Sequence, residues 1–271
     1  MIIGNKNFDL KEHTYIMGIL NVTPDSFSDG GKYNSIIEAL KHAQQMVAEG
    51  VHIIDVGGES TRPNFTQITV EEEIRRVVPV IKELKRQFNI PISIDTYKSK
   101  VAKAAIEAGA DLVNDIWGLK YDSNMAEIIR SYDVPACVMH NRKVAIYENY
   151  LEDVISDIED SIQIGLSAGI KREKFIIDPG IGFGKTYEMN LKLLNHLEEL
   201  HRLELPILLG TSRKSVIGLT LDLPPEQRLE GTICTSVIGV VKGCSFVRVH
   251  DVLPNYRAVK MAEAIRREQK V

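Results

Sequence analysis

The sequence holds little cysteine: three residues in 271, Cys137, Cys234 and Cys244, an odd number with no Cys-x-x-Cys spacing. That argues against a disulfide framework and a cysteine-ligated zinc site, which need more thiols at closer intervals. All three lie in or beside apolar stretches and are expected to be buried and reduced. A basic excess is missing too. With 33 Lys and Arg against 37 Asp and Glu, the net charge is -4, so there is no global field of the kind that non-specific nucleic-acid binding draws on. No apolar run approaches the roughly 20 residues that span a bilayer. The opening segment, Met1–His13, meets charges early and builds no signal-peptide core. No linker rich in Gly, Ser or Pro divides the chain, and it has no internal repeat. The expectation is a cytoplasmic protein of one domain over residues 1–271, with neither nucleic acid nor membrane as partner. Any anionic ligand must then be held by a few local cations.

What is present is an ordinary core-forming composition, 44% hydrophobic and 26% charged, in a strand–helix rhythm. Short apolar runs of strand type recur at Ile16–Asn21, His52–Gly57, Ile92–Thr96, Leu112–Ile116, Ala136–His140, Phe175–Asp178, Ile207–Gly210 and Phe246–His250. Most lack polar–apolar alternation, which suits parallel strands covered on both faces. Between them lie helical patterns. Ser35–Ala48 puts Ile36, Ile37, Leu40, Ala43 and Val47 on one stripe, and Val70–Phe88 does the same with Ile74, Val77, Val78, Ile81 and Leu84. Gly50 and Gly109 sit where helices close. Eight strand–helix units favour an α/β fold closed into a (β/α)₈ barrel over an open sheet.

In such a barrel, ligands are held at the C-terminal ends of the strands. Nearly every expected strand ends in a polar residue: Asn21, Asp95, Asn114–Asp115, His140, Asp178, Ser212–Arg213–Lys214, then Arg248 and His250. Helix capping explains some of these singly, but not why acids, amides and cations converge on one rim. Two long polar loops, Asn21–Gly31 and Glu59–Asn64, are of the kind that builds or covers a site; Phe27 in the first has no apolar neighbours. The run Asp178–Thr186 has proline where a P-loop needs its first glycine and Lys185 where a dinucleotide fold needs its last, so neither nucleotide reading holds. Arg248 lies within an apolar strand, and a buried arginine needs an anionic partner; a phosphate group would serve, with His250 as a second contact.

These residues together resemble the dihydropteroate synthase family along almost the whole chain. The carriers are Gly18–Gly31, Ile54–Pro63, Ser93–Thr96, Asn114–Ile116, Asp178–Lys185, Gly210–Ser215 and Arg248–Asp251. The resemblance implies a pterin-binding barrel that condenses 6-hydroxymethyl-7,8-dihydropterin diphosphate with p-aminobenzoate, a folate-pathway reaction assisted by Mg²⁺. It implies pterin contacts at Asp95, Asn114, Asp178 and Lys214, and diphosphate contacts at Asn21, Thr61, Arg62, Arg248 and His250. Asn21 would be the protein's Mg²⁺ ligand, as a cation that keeps most of its waters needs few protein atoms. The p-aminobenzoate region would comprise Phe27, Thr61, Arg62, Pro63, Phe183, Ser212 and Lys214, and the catalytic load would fall on Asp95, Asp178, Lys214, Arg248 and His250. Inhibition by sulfonamides and a homodimer formed through late helices are further implications. The chain departs from the family pattern at Asn64, where glycine is usual, and at Asn141–Val144 after His140. A corrinoid-linked pterin methyltransferase has no need of the Ser60–Pro63 loop or of Arg248–His250, and a binding-only paralogue should have lost some of the site residues that are present here.

Overall fold

Parallel strands alternate with helices in the computed structural model, which describes residues 1–22, 31–59 and 67–268. The strands are β1 Tyr15–Asn21, β2 Ile53–Gly57, β3 Ile92–Asp95, β4 Leu112–Asp115, β5 Ala136–Met139, β6 Phe175–Asp178, β7 Leu208–Leu209 and β8 Phe246–Val249. The helices are α1 Gly31–Ala48, α2 Val70–Gln87, α3 Ser99–Glu107, α4 Met125–Tyr132, α5 Tyr150–Ser167, α6 Tyr187–Asn195, α7 Ser215–Leu221, α8 Leu229–Val241 and α9 Val252–Glu268. Strands β1 to β6 pair in sequence order, β8 pairs β1, and β7 pairs β8. A parallel bridge between Ile177 and Ile207 joins β6 to the start of β7 and closes the ring. The fold is a (β/α)₈ barrel.

Side-chain alternation along each strand sorts the core into two clusters. Ile16, Leu20, Ile54, Val56, Ile92, Ile94, Val113, Val138, Ile177 and Val247 face outward and pack against the helices. Met17, Ile53, Leu112, Cys137, Ile176, Leu208 and Phe246 face inward and fill the lower barrel. Helix α2 shows how the outer layer forms. Thr69 accepts from Glu72 N at its start, Glu71, Glu72 and Glu73 meet the positive end of the helix dipole, and Val77, Val80, Ile81 and Leu84 supply the buried stripe.

Two expectations need correction. The strand expected over Ile207–Gly210 is a ladder of only two residues, because Ile207 O is shared by Ser245 N (2.9 Å) and Phe246 N (3.0 Å) where the barrel closes. Cys137 and Cys244 are buried but Cys234 is exposed. It lies two residues, about 200° round the helix, from the buried Thr232 and Ser236 of α8. The N-terminal residues also have an unexpected role. Ile2–Ile3 and Lys6–Asn7 form an antiparallel hairpin, and Ile3 and Phe8 join the inward cluster, stopping the lower end of the barrel.

Candidate active site

At the upper end, the same inward register turns polar. Asn21, Gly57, Asp95 and Asn114 are successive cross-strand partners on β1 to β4. A methyl group at Gly57 would lie 3.5 Å from Asn21 Oδ1 and 3.7 Å from Asp95 Cβ, so glycine keeps the space between these two side chains clear. One layer down, Asp55 is paired with Ser93. Across the barrel, Gly210 marks a meeting point: a Cβ there would lie 3.6 Å from Asp178 Oδ2, 3.8 Å from Lys214 Nζ and 3.9 Å from Arg248 Cβ.

Asp55 is the hub of this group. Its Oδ2 accepts from Asn114 Nδ2 at 3.1 Å and from Arg248 Nε at 2.6 Å, and Arg248 Nη2 donates to Asp95 Oδ2 at 2.6 Å. The anionic partner of the strand-borne arginine is therefore a pair of protein carboxylates, each meeting one edge of the planar guanidinium. Asp55 Oδ1, Ser93 Oγ and Asp95 Oδ1 are buried with no hydrogen-bonding partner among the described residues. Native cores rarely leave such acceptors unpaired except at functional sites.

The charges are tuned by burial. Burial, with a contribution from Asp55, pushes the Asp95 carboxyl up to about 7 against the opposing pull of Arg248. Burial also raises Asp178, with Lys214 and the Gly180 N–H opposing. Burial pulls the Lys214 ammonium down to about 8, opposed by Asp178 and aided by Arg248. Arg248 resists its own burial, and Asp55 and Asp95 hold it protonated above the usual arginine range. Such displaced values gathered at one end of a barrel are a mark of functional sites.

The remaining contacts fix side-chain direction. Lys214 Nζ donates to Ile181 O at 2.6 Å and stands 4.7 Å from the Phe183 ring centroid. Asp178 Oδ1 accepts from Gly180 N at 2.7 Å. Ser212 Oγ lies 3.0 Å from His250 Nδ1 and accepts from His250 N at 3.2 Å, which ties the β7 and β8 ends together.

The structure thus gathers Asn21, Asp95, Asn114, Asp178, Phe183, Ser212, Lys214, Arg248 and His250 at one end of the barrel. Phe27, Thr61, Arg62 and Pro63 lie outside the described residues. Three rim residues face the other way. Asp115 accepts from Trp117 N and Leu119 N, both at 2.8 Å, so it shapes the turn after β4. His140 is 3.0 Å from Asp157 on α5. Arg213, with φ of 58°, points its guanidinium to Asp251 at 2.6 and 3.1 Å. Asp55 and Lys185 had been given no role from sequence. Asp55 could have been found by alternation, since it stands two residues before the inward Gly57.

The chain is similar to known proteins over nearly its whole length. A family model described as pterin binding enzyme matches residues 17–250. Over 266 residues the chain is 60% identical to the dihydropteroate synthase of Clostridium beijerinckii, covering 98% of this chain and 99% of that one. The chain belongs to the dihydropteroate synthase family. It is accordingly a transferase. Among solved dihydropteroate synthases, that of Clostridium difficile, crystallised in the presence of pteroic acid, superposes with a TM-score of 0.94 at 53% identity, covering 96% and 99% of the two chains. The dihydropteroate synthase of Xanthomonas albilineans with 4-aminobenzoic acid gives 0.90 at 40% identity, covering 94% of each.

Proposed function

We propose that this chain joins 6-hydroxymethyl-7,8-dihydropterin diphosphate to p-aminobenzoate, giving 7,8-dihydropteroate and diphosphate. The observation that carries this reading is the convergence of Asp95, Asn114, Asp178 and Lys214 beside Arg248 and His250. Carboxylates at Asp95 and Asp178 accept paired hydrogen bonds from an aminopyrimidine edge, while Asn114 and Lys214 meet the remaining polar atoms. Asn114 is oriented for this by Asp55, which takes one of its amide hydrogens.

The reaction runs by loss of diphosphate ahead of attack. The bond between the exocyclic methylene and the diphosphate oxygen breaks, and its electron pair leaves with diphosphate. Arg248, His250 and Arg62 balance that charge and the Thr61 hydroxyl donates a hydrogen bond to it. The electron-rich pterin carries the resulting cation, and Asp95 and Asp178 favour it electrostatically. The arylamine nitrogen then forms the new C–N bond and its proton passes to solvent or diphosphate. No covalent enzyme intermediate is needed. Mg²⁺ would be held by Asn21 together with substrate oxygens and water, and would supply neutralisation of the leaving group. The donor chemistry fits: Asn21, at the end of β1, offers a hard amide oxygen, and a cation that keeps most of its waters and substrate oxygens needs few protein atoms. Phe183, Ser212 and Lys214, with Phe27, Thr61, Arg62 and Pro63, form the p-aminobenzoate side. A sulfonamide, which mimics that acid, competes there. The relatives crystallised with pteroic acid and with 4-aminobenzoic acid support this choice of substrates.

Residues 1–271 act in this reading as one domain in the cytoplasm; no helix among the described residues is long and apolar enough to cross a membrane. Leu219, Val241, Met261 and Ile265 are exposed apolar residues on α7, α8 and α9, and in this reading they serve a homodimer contact.

The test is to mix the protein with Mg²⁺, pterin diphosphate and labelled p-aminobenzoate and look for labelled dihydropteroate. Product that disappears with Lys214→Ala supports the reading. Pterin binding without product would point to the binding-only paralogue instead.

A further inference from the structure

Lys185 has no part in the pterin or diphosphate contacts; burial pulls its ammonium down to about 7, yet every hydrogen on it meets an acceptor. Its Nζ lies 2.7 Å from His140 Nδ1, 2.9 Å from Gly180 O and 3.0 Å from Phe183 O. Three hydrogens meet three acceptors. His140 is fitted to its share. Burial pulls it down to about 4 despite Asp157, so the ring is neutral, and Nε2 carries the proton toward Asp157 Oδ2 at 3.0 Å. Arg142 Nε donates to the same carboxylate oxygen at 2.5 Å.

The segment that Lys185 gathers is the turn after β6. Gly180, Gly182 and Gly184 all have positive φ, Phe183 N closes on Gly180 O at 3.1 Å, and Gly182 N donates to Asn190 Oδ1 at 2.6 Å. With the carbonyls of Gly180 and Phe183 turned inward to the ammonium, the Ile181 carbonyl between them is left to receive Lys214 Nζ. The Phe183 ring covers the same Lys214.

We propose that Lys185 is a positioning residue for the arylamine half of the site: by tying the Gly180–Phe183 turn to His140, it holds Ile181 O and the Phe183 ring against Lys214. The inference rests on the reading of Phe183 and Lys214 as p-aminobenzoate contacts. Its consequence is asymmetric between substrates. Of the pterin contacts, Asp178 and Lys214 touch the turn through Gly180 N and Ile181 O, whereas Asn114 is held by Asp55 and Asp95 by Arg248, so the pterin half should suffer less.

The experiment measures steady-state kinetics for both substrates with the parent, Lys185→Met and Lys185→Gln. The expected result is a rise of tenfold or more in KM for p-aminobenzoate in Lys185→Met, a smaller rise in Lys185→Gln, and in each variant a rise in KM for the pterin diphosphate several-fold smaller than that for p-aminobenzoate. Lys185→Cys should lose the same function and recover most of it on aminoethylation, which restores an ammonium of nearly the same reach. The parent treated likewise controls for the exposed Cys234. Should Lys185→Met fail to fold, Lys185→Gln and the aminoethylation pair decide. Equal losses for both substrates, no loss, or no recovery on aminoethylation would overturn the proposal. A parent enzyme that makes no product would instead overturn the proposed reaction.

Discussion

Asp95 and Lys214 illustrate what burial does to single residues. With Asp95 at about 7 and Lys214 at about 8, the form that suits a pterin, carboxylate with ammonium, prevails only in a narrow window. The expected kcat/KM for pterin diphosphate rises through about pH 7 as Asp95 ionises and falls above about pH 8 as Lys214 loses its proton. A pH–rate profile checks both limbs, since kcat/KM reports the free enzyme. Stability carries the opposite sign. A carboxyl at about 7 when folded, against 3.8 ordinarily, binds more protons folded than unfolded between those values, so stability falls as pH rises through them. Asp95→Asn removes that penalty. Its unfolding free energy should match the parent's near pH 4 and exceed it at pH 8, while pterin binding is lost. At this scale the sequence was informative about residue type and silent about direction. Asp115 and His140 read like Asp95 and Asp178 until strand alternation is imposed, and it turns them outward.

Elements were more legible than their ends. Apolar runs located the eight strands because strands covered on both faces must be apolar. The ends of β3, β4, β5 and β8 stop one residue short of the expected Thr96, Ile116, His140 and His250, where the chain turns toward the next helix. The two-residue hairpin strands at the N-terminus are too short to show periodicity, and tertiary packing of Ile3 and Phe8 defines them. In the turn after β6, glycine permits a close backbone approach. A Cβ on Gly180 would stand 1.9 Å from His140 O, and its φ is 69°, a conformation that costs other residues about 1–2 kcal/mol before any clash. Gly180→Ala is therefore expected to destabilise the protein by about 2 kcal/mol or more and to raise KM for p-aminobenzoate, through the same turn that Lys185 gathers. Chemical denaturation and kinetics on one preparation would show both effects; a variant with parental values in each would count against this account of the turn.

On the scale of the molecule, the barrel separates stability from chemistry along its axis. The lower interior is apolar and stopped by the N-terminal hairpin; the upper interior carries buried carboxylates and cations. A net charge of -4 makes the cations Lys214 and Arg248 a local exception rather than part of a general field. Ile3 is fully buried at the lower end, so Ile3→Ala is expected to cost about 2–4 kcal/mol of stability and to leave KM for both substrates unchanged. The most direct test of the central claim, that the upper inward residues hold the pterin half, is calorimetric titration of pterin diphosphate. The parent and the surface variant Arg75→Ala should bind alike, and Asp178→Asn should weaken binding at least tenfold. Equal affinity in all three proteins would contradict the account.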